Sequence, residues 1–280
     1  MESSSSSSSS SSVQNVVVMR HGDRLDAAEP LWSLTAARPW DPPLTEAGKI
    51  RAWTTGKRLR GVGFPIHRVV VSPFLRCRQT AREVVVALCS VVADEGLLLS
   101  METSADAPAI DPSKVKVHIE YGLCEVLNSQ AMRIDGPAKQ GNWFPDVSEL
   151  EALFPDGTVD HSAGRIYEKM PLWEEPTSVA RSRYEDVITA LADKFPHENL
   201  LLVTHGEAVG VSVSSFTEDT GIEVFNVEYC AFSLLQRTIS STSSLAVAAG
   251  KFKMLTENAK SGVYYYSDED QIETNALPPN

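Results

Sequence analysis

The sequence predicts an α/β domain with a mainly parallel central sheet flanked by helices on both faces. Two observations carry this expectation. Short, apolar, β-branched runs alternate along the chain with longer segments of helical periodicity. Three of the runs also stop abruptly at chemically loaded residues, Arg20-His21-Gly22, Ser72-Pro73-Phe74-Leu75-Arg76 and Thr204-His205-Gly206. In a parallel sheet such loops share one edge, at the carboxyl ends of the strands.

The first run, Val16 to Met19, reads as a buried strand. After a loop rich in proline and tryptophan, Thr45 is placed to cap a helix that runs to about Arg60 and ends at Gly61 and Gly63. Arg68 to Val71 reads as a second strand. The helix after it has apolar spacing at Ala81, Val84, Val85 and Leu88. Val115, Val117 and Ile119 alternate as in a third strand, which leads into Tyr121-Gly122-Leu123-Cys124-Glu125. From about Asn128 to Pro176 aromatic, proline and glycine residues interleave irregularly, as expected of an insertion that roofs a site. A helix from Val179 to Phe195 then precedes the run Leu200 to Val203, and two further strands are expected around Val224 to Leu235 and Leu245 to Met254. The expected organisation is a disordered serine-rich tail over 1–12, one domain over 13–256 and a polar, acidic segment over 257–280. Tyr264, Tyr265 and Tyr266 in that segment are open to docking on the domain or lying in the tail.

Composition narrows the function. With 280 residues, 42% of them hydrophobic, the chain can close a substantial core. A net charge of −12 repels polyanions and gives no footprint for nucleic acid. Cys77, Cys89, Cys124 and Cys230 show no metal spacing, and a chain of this size needs no disulfide staples, so they read as reduced thiols of a cytoplasmic or nuclear protein. No apolar run is long enough to span a bilayer. The serine tract lacks the arginines of a transit peptide, and no secretory signal pattern is present.

Two imidazoles and several guanidiniums brought to one sheet edge suit a phosphoryl group, because the guanidinium fork binds phosphate oxygens bidentately. Arg20, Arg24 and Arg76 would form the clamp, with His205 as a fourth donor. A neutral His21, kept so by nearby guanidiniums, would be the nucleophile. The leaving oxygen needs a proton, for which Glu125 is the first candidate and Asp23 and Glu207 remain open. The scheme calls for no metal and no cofactor, and His67, His118, His161 and His197 form no ligand pair. Ser72 and Thr80 read as capping and packing residues, and Cys77 as a small buried hydrophobe.

Arg20-His21-Gly22, Ser72-Pro73-Phe74-Leu75-Arg76-Cys77-Arg78-Gln79-Thr80-Ala81 and Val203-Thr204-His205-Gly206, in that order, resemble the histidine phosphatase (phosphoglycerate mutase-like) superfamily. The string Arg20-His21-Gly22-Asp23-Arg24 is similar to the branch containing the phosphatase domain of the suppressor of T-cell receptor signalling proteins. The resemblance spans about Val13 to Leu235. It implies a phosphorylated nucleophile at His21, phosphate-binding arginines at Arg20 and Arg76, a second pocket histidine at His205 and, by the branch pattern, an extra arginine at Arg24 and a proton donor at Glu125. His205-Gly206-Glu207 departs from the His-Asp of acid phosphatases. No segment corresponds to the substrate loop of the glycolytic mutase. The expected function is a metal-independent phosphatase acting on a phosphorylated small molecule or a phosphoprotein, with no nucleic-acid or membrane partner and with a homodimer open. The alternatives are a phosphomutase or a phosphatase-like binding subunit with little turnover.

Overall fold

The computed structural model describes residues 10–107, 109–134, 136, 143–218, 221–241 and 247–267. Its strands are β1 (Ser10–Arg20), β2 (Arg68–Val71), β3 (Lys116–Ile119), β4 (Leu200–Thr204), β5 (Glu223–Val227), β6 (Phe232–Ser241), β7 (Val247–Ala249), β8 (Lys253–Met254) and β9 (Val263–Tyr266). The helices are α1 (Leu25–Ala28), α2 (Trp32–Thr35), α3 (Glu46–Arg60), α4 (Leu75–Cys89), α5 (Glu95–Ser100), α6 (Ser129–Met132), α7 (Val147–Glu151), α8 (Thr177–Lys194) and α9 (Gly206–Ser214). Among the described residues, no helix is long and apolar enough to cross a membrane.

Seven strands form the main sheet, in the order β3-β2-β4-β1-β6-β7 with β8 also on β6. The first four are mutually parallel. The sheet is nevertheless mixed, because β6 runs antiparallel to β1 over its whole length, from Ser10 opposite Ser241 to Met19 opposite Phe232. Alternation along the strands divides the core. Val17, Met19, Val69, Val71, Leu201 and Val203 pack with Ala52 and Leu59 of α3 and Ala81, Val84 and Val85 of α4. Val16, Val18, Val70, Leu200 and Leu202 pack on the other face with Val187, Ile188 and Leu191 of α8 and Val209 and Val213 of α9. Fully apolar strands are what a sheet covered on both faces requires.

Two expectations about the chain ends change. Ser10 to Ser12 belong to β1, because the long partner β6 offers them backbone hydrogen bonds that serine propensity alone does not reveal. The rest of the expected tail lies outside the described residues. The stretch expected as one strand from Val224 to Leu235 is two, since Cys230 takes a positive φ of 59° and turns the chain between β5 and β6. β5 instead pairs with β9, so Tyr264, Tyr265 and Tyr266 lie in a strand docked on the domain.

The elements carrying the loaded loops are held by close approach and by buried polar bonds. Thr45 Oγ1 accepts from Gly48 N at 2.9 Å and caps α3. The Leu75 N–H at the start of α4 donates to Asp41 Oδ1 at 2.6 Å. The loop after β1 rests directly on the first turn of α3: a Cβ on Gly48 would lie 2.6 Å from the Asp23 carbonyl oxygen, and one on Gly22 would lie 2.7 Å from the Gly48 carbonyl oxygen. On β3, His118 is buried with neither ring nitrogen hydrogen-bonded. Burial, reinforced by Arg68 and Lys194 and opposed by Asp160, pushes it down to about 3.

Gly48→Ala is expected to cost about 1–3 kcal/mol through overlap with backbone that has no free space to yield. Gly61→Ala, whose Cβ would meet its nearest atom at 3.6 Å, should be close to neutral; thermal melts of the two variants check this. His118 binds its proton far more weakly in the folded chain, about 3, than its ordinary 6.5. Folding stability therefore falls as pH drops below about 6.5, by up to ~1.4 kcal/mol per pH unit from this group. Denaturant titrations across that range should show a shallower fall in His118→Leu.

Candidate active site

Four parallel strands end at one edge of the sheet and deliver the site. Arg20 closes β1 and His21 follows it; Ser72 follows β2 and leads into α4 with Arg76; Glu125 lies just beyond β3; His205 follows β4 and directly precedes α9. The His21 and His205 ring centroids are 5.4 Å apart. Arg20, Arg24 and Glu125, with Gly206 at the N-terminus of α9, line an adjacent cavity of about 410 Å³.

His21 is buried, and its Nδ1 lies 2.8 Å from the Gly22 carbonyl oxygen. A carbonyl only accepts, so Nδ1 carries the proton and Nε2 keeps the lone pair. Burial first, then the charge of Arg76 and the neighbouring His205, pushes this imidazole well below its ordinary 6.5. The Gly22 N–H donates to Thr80 Oγ1 at 2.9 Å, and Thr80 donates in turn to the Arg76 carbonyl at 2.7 Å. One hydroxyl thus joins the His21 loop to α4, a larger part than packing alone.

Arg76 is almost wholly buried, and its Nη2 lies 3.3 Å from Glu125 Oε2 and 3.2 Å from His205 Nδ1. The same Glu125 oxygen is 3.1 Å from His205 Nδ1. Burial alone would raise the Glu125 carboxyl, but His205 and Arg76 outweigh it and hold the group well below the usual carboxylate range. Burial, opposed by Glu125 and reinforced by Arg76, brings His205 down to about 4. Ser72 was expected to cap a helix; instead its Oγ sits 2.9 Å from His205 Nε2 and fixes the ring. Its place at a strand end on the loaded edge was the available signal.

The remaining candidates separate. Arg24 lines the cavity and pairs with Asp26. Asp23 is engaged by Arg51 at 2.8 Å and Glu207 by Arg181 at 2.5 Å. Arg20 donates to the Val227 carbonyl and lies 4.3 Å from the centroid of the Tyr229 ring, a contact the sequence did not announce. Cys77, Cys124 and Cys230 are buried nearby, and burial pushes each thiol up to about 12. Glu120 accepts three backbone N–H bonds, from Gly122, Ile166 and Tyr167, and so ties the segment after β3 to the chain ahead of α8.

One ligand atom each from His21, Glu125 and His205 lies within 4.8 Å of the others, a spacing that a cation could bridge. Arg20, Arg24 and Arg76 stand around the same three groups, and their charges favour an anion there. Fixed guanidiniums, a helix N-terminus and an unprotonated imidazole nitrogen suit a phosphate ester poised for attack.

Residues 16–98 match the histidine phosphatase superfamily (branch 1). An uncharacterized phosphoglycerate mutase family protein of Acanthamoeba polyphaga mimivirus is 28% identical over 200 residues, covering 71% of this chain and 76% of that protein. The crystal structure of the ecdysone phosphate phosphatase of Bombix mori, in complex with tungstate, superposes with a TM-score of 0.53 at 20% identity, covering 89% of this chain and 96% of that one, and so shares its fold. The matched segment contains the Arg20-His21-Gly22 and Ser72 to Ala81 motifs, and the fold brings His205 to them. Over residues 16–98, which carry two of the three motifs, the chain is similar to the histidine phosphatase superfamily (branch 1).

Proposed function

We propose that the chain is a phosphomonoester hydrolase that passes the phosphoryl group through His21 to water, acting on a phosphorylated small molecule or a phosphoprotein. The observation that carries this reading is the state of His21: Nδ1–H is held by the Gly22 carbonyl, and the ring is kept neutral beside Arg20 and Arg76. The finer likeness to the suppressor of T-cell receptor signalling branch rests on Arg24 and is part of the same proposal.

In the first step His21 Nε2 forms a bond to phosphorus as the ester P–O bond breaks, and the leaving oxygen takes a proton. Arg20, Arg24, Arg76 and His205 spread the developing charge. Glu125 is the proposed proton donor. In the free site it is an ionised carboxylate held by Arg76 and His205. An arriving phosphate draws the Arg76 guanidinium to itself and adds negative charge, both of which raise the Glu125 carboxyl so that it carries a proton into the complex. In the second step Glu125 takes a proton from water, the water oxygen bonds to phosphorus, and the P–N bond to His21 breaks. Every proton and bond is accounted for without a metal.

Phosphate release from a nitrophenyl phosphate should be lost in His21→Ala, and quenched wild type should carry acid-labile, alkali-stable phosphate on one histidine. Turnover retained in His21→Ala would overturn the reading, as would transfer between two positions of a bisphosphate that is faster than release. Glu125→Gln should slow release of an alkyl phosphate by about 10²–10⁴-fold and of a nitrophenyl phosphate by less, because the better leaving group needs no proton. Asp23→Asn and Glu207→Gln should stay near wild type.

Because His21 lies well below 6.5 and His205 near 4, both remain neutral as pH falls from 7.5 to 5.5. Corrected for ionisation of the substrate, kcat/KM should hold across that interval and show no acid limb near 6.5.

A further inference from the structure

Arg20 borders two cavities, so the direction of its guanidinium is something the fold must settle. One is the cavity of about 410 Å³ that it lines with Arg24 and Glu125. The other, of about 450 Å³, opens between α9 and β5 and is lined by Arg20 together with Arg181, Ile222, Val224 and Val227. Gly206 and Glu207 border both. A long side chain with space on two sides samples both unless it is held, whereas a phosphate clamp works in one direction only.

Three contacts hold it. Arg20 Nη1 donates to the Val227 carbonyl. Gly206 packs close, since a Cβ there would fall 3.5 Å from Arg20 Nε. The guanidinium also lies over the Tyr229 ring, with Cζ 4.3 Å from the ring centroid. The same ring stands against His21, tilted by 42° with the centroids 5.7 Å apart. One aromatic side chain therefore meets both the phosphate-binding arginine and the nucleophile.

Tyr229 is itself fixed by the link between β5 and β6. There the Ala231 N–H donates to the Glu228 carbonyl at 3.1 Å, and Cys230 takes its positive φ of 59°. Two backbone bonds join this link to the active-site loop: the Arg20 N–H donates to the Ala231 carbonyl at 2.9 Å, and the Cys230 N–H to the His21 carbonyl at 3.1 Å. Two more join it to the chain around β9, from the Glu228 N–H to the Gly262 carbonyl at 2.9 Å and from the Tyr264 hydroxyl to Glu228 Oε1 at 3.0 Å. Held from both sides, the backbone presents the ring as a fixed surface.

We infer that Tyr229 is a positioning residue that acts through Arg20: its ring holds the guanidinium toward the phosphoryl group beside His21 and away from the cavity between α9 and β5. The inference rests on the phosphate-pocket reading above. It calls for the aromatic face and not the hydroxyl, because a cation is drawn to the negative face of the ring.

Equilibrium binding of tungstate, a tetrahedral oxyanion of the shape of phosphate, tests this without turnover. Calorimetry would compare wild type with Tyr229→Phe and Tyr229→Leu, and repeat Tyr229→Leu in an Arg20→Gln background. Tyr229→Phe should bind within about twofold of wild type, and Tyr229→Leu about five- to tenfold more weakly. Tyr229→Met, which keeps apolar bulk without a π face, should match Tyr229→Leu and serves in its place if the leucine variant melts early. Arg20→Gln removes the cation on which the ring acts, so adding Tyr229→Leu to it should change affinity by less than about twofold. A packing defect would instead weaken tungstate by the same factor in both backgrounds, and that result would overturn the inference. So would Tyr229→Leu binding as wild type does, or Tyr229→Phe binding as weakly as Tyr229→Leu. Failure of wild type to bind tungstate would overturn the phosphate pocket and the inference with it. Tungstate binding coupled through Tyr229 and Arg20, in a chain with no His21-dependent hydrolysis, would remove the hydrolase reading and leave the positioning role standing.

Discussion

The buried guanidinium of Arg76 is the constraint around which the rest of the structure is arranged. A cation taken out of water must find charge and acceptors at once. Glu125 supplies the charge, the Trp40 carbonyl lies 3.5 Å away, and the His205 ring stands alongside. Each of these partners comes from a different part of the chain. β2 and α4 set Arg76 in place, the turn after β3 brings Glu125, and β4 brings His205, so the sheet order has little freedom once Arg76 is to be satisfied. The same triangle sets the electrostatics, because one carboxylate offsets a cluster that would otherwise repel itself apart.

Which residues gather at the sheet edge was legible in the sequence, and how they are held there was not. His21, Arg76 and His205 could be found because they follow apolar runs, and a parallel sheet gathers the ends of such runs on one edge. Ser72, Thr80 and Tyr229 act through contacts with residues far away in the chain, and their types are too common in turns and helices to single them out. Ser72 meets His205 only because β2 pairs in register with β4, with Val71 opposite Val203. The touching of Gly22 and Gly48 is likewise a fact of packing between the β1 loop and α3.

The bounds of α3 and β2 followed periodicity closely, with α3 ending at Arg60 and β2 over Arg68–Val71 as expected, while the short helices α1, α2 and α5 carried too few residues to show a period. Legibility failed in the last third of the chain. There the strands are partly exposed and pair antiparallel, and their residues alternate only loosely. Their limits are set by turns such as the one at Cys230, and by which edge remains open when they arrive. The serine run at the start of β1 escaped the reading for a related reason: it is paired by β6, a strand more than two hundred residues later.

The burial of the three thiols beside the site bears on how the chain meets oxidants. Peroxide and alkylating reagents attack thiolates, and Cys77, Cys124 and Cys230 are enclosed and kept as thiols. Cys77 Sγ also donates to the Thr204 carbonyl at 3.4 Å, at the strand end that presents His205. Sulfur therefore serves as filler beside the imidazoles of the site. Under the function proposed above, a phosphoryl carrier made of imidazole has no sulfenic acid to form, so the site should keep working under conditions that silence enzymes whose nucleophile is a cysteine.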